Sequence, residues 1–184
     1  VYDPARSFLD GSGNAVLEAT QSGNTISSGR FTSRTKFNMQ YGWCAARIKF
    51  PRAGRSWFPA FWLLHTGFNY NPYGEIDVME FFGNTTQYST HIYFQDNSAT
   101  LSSDLPVPAT HSGGNAGDGF HTYWMMWEPD RIRVGVDDLI MGDFGLSAAA
   151  GTAAVSCFLY ARGRRVRFRP AWLLFALSSA MSRA

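Results

Sequence analysis

The sequence predicts an all-β chain folded as a β-sandwich or jelly roll, on three observations. The apolar runs are short, Gly and Pro are scattered between them, and no segment carries a convincing helical period. The 184 residues suit one domain with a real core, and a charged fraction of 16% beside an aromatic fraction of 16% opposes disorder.

The elements follow in order. Residues 14–20 (NAVLEAT) read as a short strand after the turn Asp10-Gly11-Ser12-Gly13. A Gly/Ser-rich stretch at 22–30 leads into a second strand at 31–37, and 41–50 alternates as a third that Pro51 stops. Residues 58–64 (FPAFWLL) are apolar on both faces, which suits a strand buried between two layers. A loop at 65–74 precedes strands at 75–82 (EIDVMEFF) and 88–94. A long polar loop fills 95–118, and strands follow at 120–127 and 131–136. Asp137-Asp138 reads as a hairpin turn into a short strand at 139–141. After Gly145 the chain turns Ala-, Arg- and Ser-rich and shows neither a strand period nor helix caps.

Charge divides at the same point. Residues 1–145 hold 10 Lys+Arg against 14 Asp+Glu, while 146–184 hold six Arg and no acid. The net charge of +2 therefore describes a mildly acidic body with a basic tail. No basic face with interleaved aromatics runs through the body, so nucleic acid is not an expected partner. No apolar run reaches the roughly 20 residues of a membrane span. Val1 opens a polar stretch rather than a signal peptide, and a start without Met reads as a processed or trimmed product. Cys44 and Cys157 set no disulfide framework, and Cys44 reads as a small buried residue. No His/Cys cluster has metal-ligand spacing.

The chemistry concentrates at Glu75, Asp77 and Glu80. Side chains alternate along a regular strand, so Glu75 and Asp77 share a face and Glu80 falls on the other. That arrangement buries carboxylates among apolar neighbours, which is costly. One extra residue, a β-bulge near Val78-Met79, returns Glu80 to the face of the other two and leaves Ile76 and Val78 to the core. Three acids on one face suit retaining glycoside hydrolysis, which needs an anionic nucleophile beside a protonated acid. A solvated acidic edge strand would carry the same carboxylates. The aromatic neighbours Trp57, Trp62, Phe68, Tyr70 and Tyr73 favour a sugar cleft instead.

The run PAFWLL at 59–64, followed by GEIDVMEFFG at 74–83, resembles glycoside hydrolase family sixteen in its laminarinase-like, bulged form. SGRFTSRTKFNMQYGWCAARIKFP at 28–51 and FHTYWMMWEPDRIRVGVDD at 120–138 are similar to further stretches of that family, in consistent order over residues 8–145. The resemblance implies a concanavalin-like β-jelly roll with a concave cleft. It implies a secreted or cell-wall-associated endo-β-1,3-glucanase, or a relative acting on mixed-linkage glucan. Glu75 would be the nucleophile, Asp77 its partner and Glu80 the acid/base. Arg47, Trp57, Trp62, Tyr73, His91 and Tyr93 would meet the polysaccharide, with a satisfied sheet histidine the equal alternative for His91. Trp124 and Trp127 read as core packing. No cofactor is required, and a structural calcium ion near the chain ends is doubtful.

Departures temper the resemblance. Ala45 stands where the family commonly has Glu, Asn71-Pro72 where it often has Trp-Pro, and Phe58 where Trp usually precedes the proline. Residues 146–184 do not resemble the family's closing strands and read as a divergent tail, from a shifted reading frame or an unrelated fusion, after a partial jelly-roll domain at 1–145. A jelly roll lacking inner strands would expose unpaired edges. A non-catalytic β-glucan-binding module and an inactive truncated family member are the alternatives.

Overall fold

A computed structural model describes residues 1–50, 58–66, 74–81, 87–93, 100–108, 119–145, 155–160, 166–168 and 175–176. A 3-10 turn at Pro4–Arg6 opens the chain, capped by the Asp3 side chain, which accepts from the Ala5 N–H. The strands are β1 (Ser7–Leu9), β2 (Ala15–Leu17), β3 (Ala19–Ser22), β4 (Thr25–Ser28), β5 (Arg30–Thr32), β6 (Gly42–Lys49), β7 (Ala60–His65) and β8 (Glu75–Phe81). They continue as β9 (Gln87–Tyr93), β10 (Thr100–Pro108), β11 (His121–Glu128), β12 (Arg131–Val136), β13 (Leu139–Gly145), β14 (Val155–Tyr160), β15 (Val166–Phe168) and β16 (Phe175–Ala176).

Two sheets face each other. The eight-stranded sheet runs β1-β2-β15-β6-β11-β12-β13, with β16 also on β6, and the six-stranded sheet runs β10-β9-β8-β7-β14-β5. Alternation decides which side chains meet between them. Cys44, Ala46 and Ile48 of β6, Tyr123, Met125 and Trp127 of β11, and Ile132, Val134 and Val136 of β12 point inward. Phe61 and Leu63 of β7, Ile76, Val78, Met79 and Phe81 of β8, and Tyr88 and Ile92 of β9 meet them from the other sheet. Tyr123 packs edge-on against both Phe50 and Tyr88 across this layer. Cys44 is a free thiol, fully buried in that core.

Several expectations change. The polar stretch at 95–118 contains β10, which pairs with β9 through a register shift between Ser103 and Val107. Pro106 and Pro108 hid it, and its place at the sheet edge is where prolines are tolerated, since the outer N–H has no ladder partner. The strand expected at 31–37 ends at Thr32, and β4 lies inside the Gly/Ser-rich stretch. The tail expected to lack strands supplies three. β14 pairs with β5 and β7, β15 with β2 and β6, and β16 with β6, so the tail covers edges expected to lie bare.

The hairpin at Asp137-Asp138 forms as expected, with Val136 opposite Leu139. Asp137 adopts φ 49°, a left-handed value that Asp tolerates better than most residues. Its side chain accepts from the Thr122 N–H at 2.9 Å and meets His121 Nδ1 at 2.7 Å, while its carbonyl accepts from Trp124 Nε1 at 2.9 Å. His121 thus has a structural partner. Trp127 packs in the core as expected, 3% exposed, but Trp124 does not. Trp124 sits on the outer face, paired with Gly135, and a Cβ at that glycine would strike the indole ring and the Leu139 carbonyl. Gly135→Ala is therefore expected to lower stability by about 1–3 kcal/mol, read as a fall in the denaturant midpoint at unchanged m-value.

Candidate active site

The acids of β8 depend on one irregularity. Asp77 lies opposite His91 and Glu80 opposite Ser89, so Val78 and Met79 face a single residue, Thr90, on β9. On the other side Trp62 lies opposite Asp77 and Phe61 opposite Met79, leaving Val78 as the extra residue. This is the expected bulge. It returns Glu80 to the face of Glu75 and Asp77, while Ile76, Val78, Met79 and Phe81 all join the core. The bulge disturbs the ladder, and the Thr90 hydroxyl donates to the Asp77 carbonyl at 2.8 Å.

Register brings a defined set of neighbours to the acidic face. Glu75 lies between Leu64 and Tyr93, Asp77 between Trp62 and His91, and Glu80 between Ala60 and Ser89. His91 Nδ1 meets Glu80 Oε2 at 2.8 Å, with side chains 9% and 15% exposed, so the pair is largely shielded from water. Tyr93 stacks on His91, centroids 5.8 Å apart and planes at 23°. His91, only one of two options in the sequence, is thus a member of the cluster. Trp62 and Tyr93 are brought to the site, whereas Trp57 and Tyr73 lie outside the described residues.

Arg47 is a correction. On β6 the inward positions are Cys44, Ala46 and Ile48, so Arg47 faces outward from the eight-stranded sheet. It lies opposite Thr122, with its guanidinium 5.8 Å from the Phe120 ring centroid, and the whole core separates it from Glu75. Ala45 shares that outer parity, so the carboxylate missing at this position is not one that the acidic face would have received.

Burial dominates the electrostatics. It raises Glu75 from the ordinary carboxylate range to about 7, helped by the charge of Glu80. Asp77, 2% exposed, is pushed well up by burial and then by Glu80 and Glu75. The hydrogen bond between Glu75 and Asp77 lowers the first and raises the second. That is the behaviour of a protonated Asp77 donating to an anionic Glu75. Burial also raises Glu80, while His91 draws it down through charge and hydrogen bond.

Asp3 and Glu18 are engaged by Arg6, and Asp10 accepts from the Ser12 and Asn14 backbone and the Asn14 amide. Among the described residues, the three-donor group of His and carboxylates is Asp77, Glu80 and His91. No described helix is long and apolar enough to cross a membrane.

Comparison with known proteins adds an independent finding. The model of glycosyl hydrolases family 16 matches residues 5–155. The chain is 31% identical over 159 residues to a keratan-sulfate endo-1,4-beta-galactosidase of Sphingobacterium multivorum, covering 81% of this chain and 36% of that one. It is 29% identical over 141 residues to a beta-glucanase of Rhodothermus marinus, covering 70% and 47%. It is 27% identical over 136 residues to a beta-1,3-glucan-binding protein of Penaeus monodon, covering 64% and 35%. The chain thus spans less than half the length of each of these relatives. The laminarinase catalytic domain of Thermotoga maritima superposes with TM-score 0.74 at 20% identity, covering 91% of this chain and 79% of that one. The structure shares its fold, which makes the sandwich described above a jelly roll of that type.

The raised carboxyls have a cost that pH reveals. Glu75 holds its proton in the folded chain up to about 7 but sheds it in the ordinary carboxylate range when unfolded, so stability falls as pH rises through that window. Glu75→Gln is expected to raise stability at pH 8 by on the order of 1 kcal/mol after solvent screening, with the gain vanishing by pH 4. Thermal melts of both chains across that range check it.

Proposed function

We propose that this chain, which belongs to the glycosyl hydrolases of family 16, hydrolyses β-1,3-glucan or mixed-linkage β-1,3-1,4-glucan with retention of configuration. The observation that carries the reading is the bulge at Val78, which sets Glu75 and Glu80 on one face with Asp77 between them. Glu80, whose hold on its proton burial strengthens, gives that proton to the glycosidic oxygen. Glu75 attacks the anomeric carbon and forms a glycosyl-enzyme ester. Asp77 donates to Glu75 and holds the attacking oxygen in place. Water then cleaves the ester, with Glu80 taking back a proton. The double displacement balances on these side chains and calls for no cofactor. His91 acts as a positioning residue, fixing Glu80 through the 2.8 Å contact. Trp62 and Tyr93 offer rings beside the acids for the apolar faces of sugar units. A polymeric glucan as substrate fits a secreted or cell-wall-associated enzyme.

A second reading, glucan binding without hydrolysis, draws on the similarity to the Penaeus monodon binding protein. Retention of both glutamates favours the enzyme. The test is release of reducing sugar from laminarin, mixed-linkage glucan and keratan sulfate, the last because of the Sphingobacterium multivorum relative. Glu75→Gln and Glu80→Gln are each expected to lower kcat by about 10²–10⁴-fold with the melt intact. Retardation by laminarin in an affinity gel without sugar release would replace hydrolysis with binding. His91→Ala is expected to lower kcat and to move the basic limb of kcat/KM upward. His91 depresses Glu80, so removing it lets the acid keep its proton to higher pH.

A further inference from the structure

We propose that Asp77, Glu80 and His91 form a binding site for a borderline-soft divalent cation, with zinc the best fit, and that filling it blocks hydrolysis. Each residue offers one ligand atom, and the three atoms lie within 4.8 Å of one another. Two carboxylates and one imidazole are a donor set that zinc accepts, with a fourth position left for water. Calcium fits poorly, because it calls for six to eight oxygens and these residues offer three donors, one of them nitrogen.

An independent observation points to a ligand. Asp77 is 2% exposed, yet its Oδ1 is buried without a hydrogen-bond partner. A buried acceptor of that kind carries an uncompensated desolvation cost, and a cation beside it removes the deficit. The frame is rigid in the right places. Asp77 and His91 are directly opposed on adjacent strands, the Asp77 carbonyl is held by Thr90, and the His91 ring is stacked on Tyr93. Donors fixed on strands lose little freedom when a metal is bound.

Zinc would take a Glu80 oxygen and a His91 ring nitrogen, ending the Glu80–His91 contact. The proton that Asp77 shares with Glu75 would leave to solvent. Glu80 could then neither give nor take a proton. The inhibition rests on the hydrolase reading above, whereas the binding does not.

Isothermal titration of the full chain with zinc chloride in a non-chelating buffer tests both. One saturable site is expected in the parent and in Glu75→Gln, which keeps all three donors. His91→Ala is expected to weaken that site by at least about tenfold, since even losing an outer-shell partner costs that much. Asp77→Asn serves as the second donor variant, and melts of all variants check folding. Laminarin hydrolysis should fall in step with zinc occupancy and return with a chelator. Absence of a saturable site, or equal affinity in folded donor variants, overturns the site. Saturation with hydrolysis unchanged overturns the inhibition. A parent that binds zinc through these donors yet releases no sugar overturns the hydrolase reading and leaves the metal site standing.

Discussion

A single extra residue in β8 reconciles two demands that a regular strand cannot meet together. The strand must present Ile76, Met79 and Phe81 to a core with no room for charge, and it must keep three carboxyls out of it. Strict alternation would send Glu80 into that core, at a cost of several kcal/mol for an unpaired carboxylate. The bulge at Val78 shifts the parity midway, so the apolar and acidic sets each stay on their own side. The rest of the site follows from that shift. Thr90 serves the bulged backbone, His91 comes opposite Asp77, and Glu80 falls within reach of the imidazole.

Gathering acids on a half-buried face stores unfavourable energy in the folded state. Burial, more than mutual repulsion, is the first cause for all three carboxyls. The same environment that makes the cluster costly makes it reactive, because it keeps a carboxyl protonated near neutral pH. His91 works against that trend at Glu80 through both charge and hydrogen bond but at Glu75 through charge alone, so two glutamates five residues apart sit in different environments. Difference of environment, rather than of residue type, is what separates an acid from a nucleophile in a pair of like side chains.

The eight-stranded sheet has another task. Its inner face supplies half the core, and its outer face carries Arg47, Trp124 and Arg133 far from the acids. The tail, despite its unusual composition, takes part in both sheets through backbone pairing. Ladder hydrogen bonds are blind to side-chain identity, so a segment without strand-like alternation can still complete an edge.

Local conflicts were the legible part. The all-β class, the strands β6 to β9 and β11 to β13, the hairpin at Asp137 and the bulge itself all follow from alternation, turn chemistry and the cost of burying charge. Each of those acts within about ten residues of chain. What tertiary structure decided was adjacency and facing. Arg47 sits on a strand with the right alternation, yet only packing against the second sheet determines which of its two faces is inward. His91 offered a core role and a site role equally, and the β8–β9 register chose the second. Prolines obscured β10 because their meaning depends on whether the strand is central or at an edge. In the tail, where side chains carry no period, partners distant in sequence were the only source of order, and no local pattern records them.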